Sequence, residues 1–287
     1  MSIKQTRMSA KKSSLCEYVN RSSPVRGYGK CLPAAVRRYV PAVLGIALTL
    51  GLWQWGGYLV ANNPDTYAFA DFAPAPTFSR LIDIVMSGEV FDMTIPSLSR
   101  IGLGLLWAIV IGVPVGITIG RIPVFREATH IPFQFLRMIS PLAWMPIAVL
   151  TFETWDGAIV FLIFAAAVWP ITFATAAGLR KVDPKWFRVA QNLGARGWHM
   201  LIVIVLPAIA QDVLTGIRLA LGVAWVVLVP AEYLGVTSGL GYAINDARDT
   251  LEYDRITAIV LIIGAIGFTL DAVCLQAIRR YNWVKTS

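Results

Sequence analysis

Apolar residues are gathered into six long stretches along this chain, and most charged residues fall in the segments between them. The stretches occupy residues 41–61, 101–120, 133–152, 157–178, 211–230 and 256–277. About 20 residues of α-helix, each rising 1.5 Å, cross the roughly 30 Å hydrocarbon core of a bilayer. The pattern therefore predicts an all-α polytopic membrane protein whose six transmembrane helices fill residues 39–287.

The residues ahead of the first span, 1–38, are polar and basic and have too few apolar side chains to build a core. They are predicted to be a flexible cytoplasmic tail. A basic region before an apolar run is also typical of a secretory signal. The run from Pro41 to Ala61 is longer than the apolar region of a signal, and more spans follow, so a retained first helix is the better interpretation.

Lysine and arginine are divided unevenly between alternate polar segments. Nine lie in the tail, two after the second span, five after the fourth and three at the end, against one, none and two in the other loops. Cytoplasmic loops hold the excess of these residues in membrane proteins. The layout predicts both termini in the cytoplasm of a bacterial inner-membrane protein, with an external segment over residues 62–94 that carries a surface helix.

The composition, 56% hydrophobic and 15% charged, excludes an ordinary soluble domain. A net charge of +8 would suit a nucleic-acid binder, but membrane topology explains where the basic residues lie, so no nucleic-acid partner is expected. The cysteines and histidines are few and far apart, which predicts neither a disulfide framework nor a metal site. They are Cys16, Cys31, Cys274, His130 and His199.

Sequence motifs of several enzyme classes are missing from the chain. No G-x-x-x-x-G-K-[ST] phosphate loop occurs, and the only Gly-Lys pair, Gly29-Lys30, is followed by Cys31. Neither G-x-S-x-G nor H-E-x-x-H is present. The chain is therefore expected to have no catalytic residues and to depend on another subunit for any ATP hydrolysis.

The basic segment after the fourth span contains a short amphipathic helix, predicted from about Pro184 to Leu193. Proline in the first turn and glycine just past the end, here Gly194, are preferred at helix boundaries. Four apolar side chains at helical spacing would let the helix dock in a cleft of another protein, namely Trp186, Phe187, Ala190 and Leu193. The alternative is a basic linker lying on anionic lipid headgroups.

The spacing of this segment resembles the cytoplasmic signature loop of ABC importer permeases, which reads E-A-A, three residues, G, nine residues, I-x-L-P. Arg188 stands where the family has Glu, and Val189 where it often has Ala. The other positions match. The coupling loop that the resemblance implies comprises Pro184, Trp186, Phe187, Arg188, Val189, Ala190, Gly194, Ala195, Ile204, Leu206 and Pro207.

Further segments between residues 95 and 272 are similar to permeases of the nitrate, sulfonate and taurine importers. SPLAWMP (140–146) and VWPI (168–171) favour the nitrate type, whereas LGA (193–195) and GLG (239–241) fit the sulfonate type equally well. Segments 96–100, 112–116 and 215–225 extend the similarity. The resemblance leaves the substrate open among these anions.

This resemblance implies a type I ABC importer permease fold and a subunit that translocates a small anion or oxoanion. It implies two ABC ATPase subunits that dock on the coupling loop and carry ATP and Mg²⁺, an external substrate-binding protein, and a second permease copy, most simply in a homodimer. No cofactor is expected on this chain itself.

Charged residues at membrane depth usually face a pathway, a partner or the interface. The candidates are Arg100, Arg137, Arg218, Glu232 and Asp271. Arg100 and Arg137 could bind an oxoanion bidentately, although snorkelling or ion pairing would also satisfy them. Arg218 is expected to pair with Asp212 or the loop. Trp144, Trp169 and Trp225 could line the pathway or pack between helices, and Gly112, Gly116 and Gly222 are expected to permit close helix packing.

Two other classes of function remain as alternatives. A secondary transporter or channel working alone would be favoured by inverted repeats or paired intramembrane acids, and neither is evident. A membrane enzyme or scaffold lacks any catalytic constellation in the sequence.

Overall fold

A computed structural model describes residues 34–286, with side-chain surroundings given for residues 40–280. The predicted tail lies outside the described residues except at positions 34–38, which already belong to the first helix. The helices are α1 Ala34–Ala61, α2 Pro74–Ser87, α3 Glu89–Arg121, α4 Pro123–Met138, α5 Met145–Thr151, α6 Trp155–Lys181, α7 Pro184–Asn192, α8 Gly197–Met200, α9 Leu206–Gly235, α10 Leu240–Asp249 and α11 Tyr253–Thr286. The all-α fold is confirmed.

Among the described residues, five helices are long and apolar enough to cross a membrane, and a bent pair makes a sixth span if it is counted as one. The five are α1, α3, α6, α11 and the continuous helix 197–235, in which a π-helical turn over Leu201–Val205 joins α8 to α9. Each runs several residues beyond its predicted span, because hydropathy marks only the hydrocarbon layer and a helix continues through the headgroup region.

The third predicted span, 133–152, is not one continuous helix. The structure has α4 and the segment Pro141–Thr151 bent by 88° to one another at Ile139 and Ser140. Pro141 has no N–H to continue the hydrogen-bond ladder of α4 and disfavours helical backbone at Ser140. A proline already visible in the sequence thus breaks this span.

Helix α3 packs closely on α6 through a ridge of small side chains repeated every four residues. The ridge comprises Gly104, Ala108, Gly112, Gly116 and Gly120. A Cβ on Gly116 would lie 2.6 Å from the carbonyl oxygen of Thr172. The close-packing role is thus confirmed for Gly112 and Gly116, whereas Gly222 faces open space within this chain. Small residues take this role in membranes because they bring helix backbones into dispersion contact.

The central helix α6 is buried by α3 on one side and α9 on the other. Its buried side chains include Ile159, Leu162 and Ile163, which form one cluster with Ala224 and Leu228 of α9. A Cβ on Gly216 of α9 would lie 2.7 Å from Cβ of Ala174. The three helices α3, α6 and α9 therefore form a rigid core to which the other elements are attached.

Two short helices lie at one end of this core, beside the loop 152–154. Helix α2 falls in the segment 62–94, where a surface helix was predicted, and α10 is a further helix that the sequence did not indicate. Arg255 at the start of α11 bridges Glu89, Asp246 and Glu252. We call this end of the core the network end. The opposite end holds α7, and we call it the α7 end.

Replacing Gly116 with alanine should lower the thermal unfolding midpoint of the detergent-solubilised protein, because the added Cβ must push α3 away from the backbone of α6. Gly102→Ala on the same helix is the control, since nothing lies within 4 Å of its Cβ position. Equal midpoints for the two variants would contradict the packing described here.

Candidate functional site

Helix α7 is delimited at both ends by side-chain and backbone hydrogen bonds. The carboxylate of Asp183 accepts a hydrogen bond from the backbone N–H of Lys185 at 2.8 Å, and Pro184 occupies the first turn. At the other end Gly194 has φ of 87°, its N–H donates to Gln191, and the N–H of Ala195 donates to Ala190. This pair of bonds is the Schellman motif, which requires left-handed backbone at the glycine.

The apolar side chains of α7 are divided between two directions. Ala190 is buried and Phe187 is packed against a cluster of the chain's own core that includes Leu179, Val205 and Ile209. Trp186, Val189 and Leu193 are exposed, with 83% of Leu193 accessible. Of the four residues predicted to dock, two therefore anchor α7 to its own chain. The free apolar surface of α7, which we call the α7 face, consists of Trp186, Val189 and Leu193.

The I-x-L-P part of the motif lies where the loop becomes α9. Ile204 packs against the core cluster under α7, and Leu206 and Pro207 begin α9. The π-helical turn over Leu201–Val205 comes directly before them, and the N–H of Leu206 donates to Leu201. Proline supplies no N–H for the usual i−4 bond, which accounts for a wider turn at this point. Through this turn α7 is joined to the long helix that ends at residue 235.

A buried ion pair lies at the network end, inside the junction of α3 and α9. Arg100 Nη1 is 2.5 Å from Glu232 Oε1, and the two side chains are only 5% and 0% exposed. Ser97 Oγ lies 2.8 and 2.9 Å from the two carboxylate oxygens, and the N–H of Gly241 donates to Glu232 at 3.0 Å. These contacts satisfy a carboxylate that would otherwise be very costly at this burial.

The same guanidinium also holds the segment between α9 and α10. Arg100 donates to the carbonyl and the hydroxyl oxygen of Ser238, each at 2.9 Å, and through Nε to Asp156 at 2.7 Å. Gly239 has φ of 111°, and a Cβ there would lie 2.6 Å from the carboxyl of Glu232. The segment can therefore lie against the ion pair only because residue 239 is glycine. We call Ser97, Arg100, Asp156, Glu232 and Ser238 the Arg100 network.

The other charged candidates are placed differently. Arg137 is exposed at the end of α4, with its guanidinium 5.4 Å from the ring centre of Phe173. Arg218 donates two hydrogen bonds of 2.7 Å to Asp271 on α11. Its predicted pairing with Asp212 is wrong, because residues six apart lie on different faces of a helix, and Asp212 instead pairs with Lys181.

The three tryptophan candidates are half-buried between helices. Trp169 stacks near Phe173 and meets Phe133 edge-on at 5.4 Å. Trp225 contacts two core clusters, and Trp144 packs on one of them. The three tryptophans therefore pack between helices. Their assignment to a transport pathway stays a prediction.

Several residues of the Arg100 network had no role assigned from the sequence. Ser97 and Ser238 carry no charge, and they are 141 positions apart in the chain, so no local pattern joins them. The signal that was present is the GLG segment, 239–241, seven residues after Glu232, since paired glycines can indicate close backbone approach. The fold then brings both serines to the ion pair.

The described residues form a bundle of apolar helices that carries a capped amphipathic helix at one end. The family described as "binding-protein-dependent transport system inner membrane component" matches residues 104–281. The chain belongs to this family of ABC importer permeases, as its signature loop predicted.

Relatives within the family bear different substrate names. The chain is 29% identical over 257 residues to the nitrate import permease protein NrtB of Leptolyngbya laminosa, covering 88% of this chain and 91% of the relative. It is 39% identical over 184 residues to the bicarbonate permease CmpB of Synechococcus elongatus, at 63% and 66% coverage. It is 33% identical over 216 residues to the taurine permease TauC of Escherichia coli, at 73% and 78%.

Replacing Glu232 with glutamine should destabilise the protein by about 3–5 kcal/mol, the usual result of removing one partner of a buried ion pair. Arg100 would keep its charge in a site that is 5% exposed. The free energy of unfolding can be measured by denaturation in mixed micelles.

Glu252→Gln serves as the control for this measurement. Glu252 also pairs with arginines, but 38% of its side chain is exposed, and such pairs contribute little. A loss for Glu232→Gln no larger than that for Glu252→Gln would show that the Arg100 network does not stabilise the fold.

Proposed function

We propose that this chain is the membrane-spanning subunit of an ATP-driven importer that carries a small anion or oxoanion, such as nitrate, bicarbonate or an aliphatic sulfonate, inward. The α7 face is the observation that carries the proposal. It is a short helix, fixed by caps at both ends and anchored by Phe187 and Ala190, with three apolar side chains left exposed at the end of a membrane bundle. A surface of this kind suits a cleft in a partner protein.

The proposed partner at the α7 face is an ABC ATPase that carries ATP and Mg²⁺, one for each of two permease copies. The basic residues around α7 support a cytoplasmic position for this end, where ATP is present, with the Arg100 network at the external end. In the proposal an external binding protein delivers the substrate there. The same distribution of charge supports an inner-membrane protein with both termini in the cytoplasm.

The Arg100 network has a distinct role in this proposal. It joins α3, α6 and α9 to the segment that leads into α10, at the end away from the ATPase. Four hydrogen bonds from one guanidinium hold these elements together. In the conformation described here, Arg100 and Glu232 therefore act as a clamp on the external end. Because the N–H groups of Arg100 are already hydrogen-bonded, Arg100 does not bind substrate until the clamp opens.

Reconstituted transport tests the proposal as a whole. Proteoliposomes that contain this chain, its ATPase and its binding protein should accumulate labelled nitrate, bicarbonate or sulfonate only when ATP is supplied on the α7 side. Uptake by the purified chain alone, driven by a proton or sodium gradient, would instead identify a secondary transporter.

Replacing Leu193 with serine should weaken ATPase binding about tenfold. The change removes an apolar side chain that is 83% exposed on the α7 face, and an apolar contact of this size with the ATPase contributes on the order of 1–2 kcal/mol. Binding is measured as the ATPase concentration that half-saturates permease in nanodiscs. Val124→Ser is the control, since Val124 is 76% exposed at the same end but outside α7. If both variants bind the ATPase as the parent does, the α7 face is not the docking surface.

A further inference from the structure

One face of α4 carries a row of polar side chains. Arg126, His130, Gln134 and Arg137 follow one another at intervals of four, four and three residues, which places them within an arc of about 80° on a helix. His130, Gln134 and Arg137 are exposed and Arg126 is half-buried. We call these four residues the α4 stripe.

Within the part of the chain whose side chains are described, the α4 stripe has no polar partner. Among residues 40–280, no side-chain hydrogen bond or ion pair is recorded for any of the four, and Arg137 has only the ring face of Phe173 beside it. Arg100, Arg218 and Arg255, on other spans, each contact a carboxylate. Arg121 and Arg180 have no such partner among the described residues, but they lie at the ends of their helices. Arg137 differs from them in its contact with Phe173, well inside α6.

Two ring contacts fix how deep the stripe lies. Phe133 meets Trp169 at 5.4 Å and Arg137 lies over Phe173 at 5.4 Å, and both partners belong to the 27-residue helix α6. Phe173 precedes the end of α6 at Lys181 by eight residues, or about 12 Å along the axis. A helix of this length extends about 5 Å beyond each side of the hydrocarbon core. Arg137 is therefore inside the hydrocarbon layer.

The exposed face of α4 next to the stripe, about 110° away around the helix, identifies the side that meets lipid. Ile131, Phe135 and Met138 are 76%, 68% and 67% exposed, and such side chains are stable against acyl chains. An unpaired arginine at this depth is costly in lipid and in proteins usually faces water or a partner. One exposed face of α4 is apolar and the other carries an unpaired arginine. We therefore expect the stripe to face an aqueous space.

From these contacts we infer that the α4 stripe lines the water-filled pathway and binds a monovalent oxoanion there. The inference rests on the proposed function and specifies its substrate class. The guanidinium of Arg137 can donate two parallel hydrogen bonds to a planar or tetrahedral oxoanion, and the amide of Gln134 and the imidazole of His130 add donors along the same row. No carboxylate lies between His130 and Arg137, and the nearest one on α4 is Glu127, one turn before His130, so nitrate, bicarbonate and simple sulfonates fit the Arg137 end of the row.

Accessibility to thiol reagents tests where the stripe faces. The experiment uses the assembled transporter with Cys16, Cys31 and Cys274 replaced by serine. In this background Gln134→Cys should react with a membrane-impermeant anionic thiosulfonate. The reaction should be about tenfold faster than with the cationic analogue, because Arg137 attracts the anion. Phe135→Cys, the adjacent position on the lipid side, should not react. The rate at position 134 should change when ATP and vanadate trap the closed ATPase, as alternating access requires.

Each other result of the labelling overturns the inference. Equal reaction at positions 134 and 135 would show that the stripe is not the water-facing side. A rate at position 134 that is the same with and without trapped nucleotide would identify α4 as a helix lying on the membrane surface, outside the pathway.

Transport kinetics test whether the stripe binds the anion. Arg137→Gln should raise KM for the oxoanion about tenfold, the effect expected when a charge-assisted hydrogen bond is lost, and Arg137→Lys should recover part of it. Arg180→Gln removes a charge at the α7 end but outside the stripe and should leave KM unchanged. If the parent transporter takes up the anion and Arg137→Gln has the same KM as the parent, the inference fails while the proposed function stands. If the parent has no ATP-dependent uptake, the proposed function itself fails.

Discussion

A polar group inside a membrane must be satisfied by the protein or by water, and this constraint orders the whole structure. The guanidinium of Arg100 and the carboxylate of Glu232 satisfy one another between α3 and α9, and Arg218 and Asp271 do the same between α9 and α11. Backbone groups follow the rule as well, because the spans are helical throughout apart from the break between α4 and α5. Arg137 of the α4 stripe has no carboxylate partner among the described residues, and the aqueous pathway inferred above supplies its hydration.

Close helix packing and buried ion pairing support one another here. The small-residue ridge of α3 brings its backbone against α6, and only at that distance can Arg100 reach both Asp156 at the start of α6 and Glu232 on α9. In turn the network fixes the rotation of α3, since Ser97 and Arg100 must face inward together. A substitution in the ridge is thus expected to affect the ion pair as well as the packing.

The sequence was sufficient for the features that depend on local pattern. The apolar stretches predicted the spans, and Pro184 and Gly194 predicted both ends of α7, because hydropathy and capping act over a few residues. The 88° bend of the third span could not be derived from Pro141 alone, since a proline in a membrane helix can produce a kink or be accommodated without a break. The partner of Arg218 and the serines of the Arg100 network depend on tertiary contacts between distant segments, which no local pattern reveals.

The continuous helix from Gly197 to Gly235 connects the two functional ends of the molecule. Its 39 residues extend over roughly 57 Å, with α7 attached at its start and Glu232 three residues before its end. A displacement of α7 by a partner is therefore delivered to the Arg100 network along one rod. The π-helical turn at Leu201–Val205 lies at the α7 end of this rod. At the other end Pro230 lies one half-turn before Glu232, and it leaves the carbonyl of Val226 without its usual helical donor. Both points lie outside the packed middle of the helix, which is held against α6 by Ala224 and Leu228. Under the proposed function, movement of α7 and opening of the Arg100 clamp are two ends of one motion of this helix.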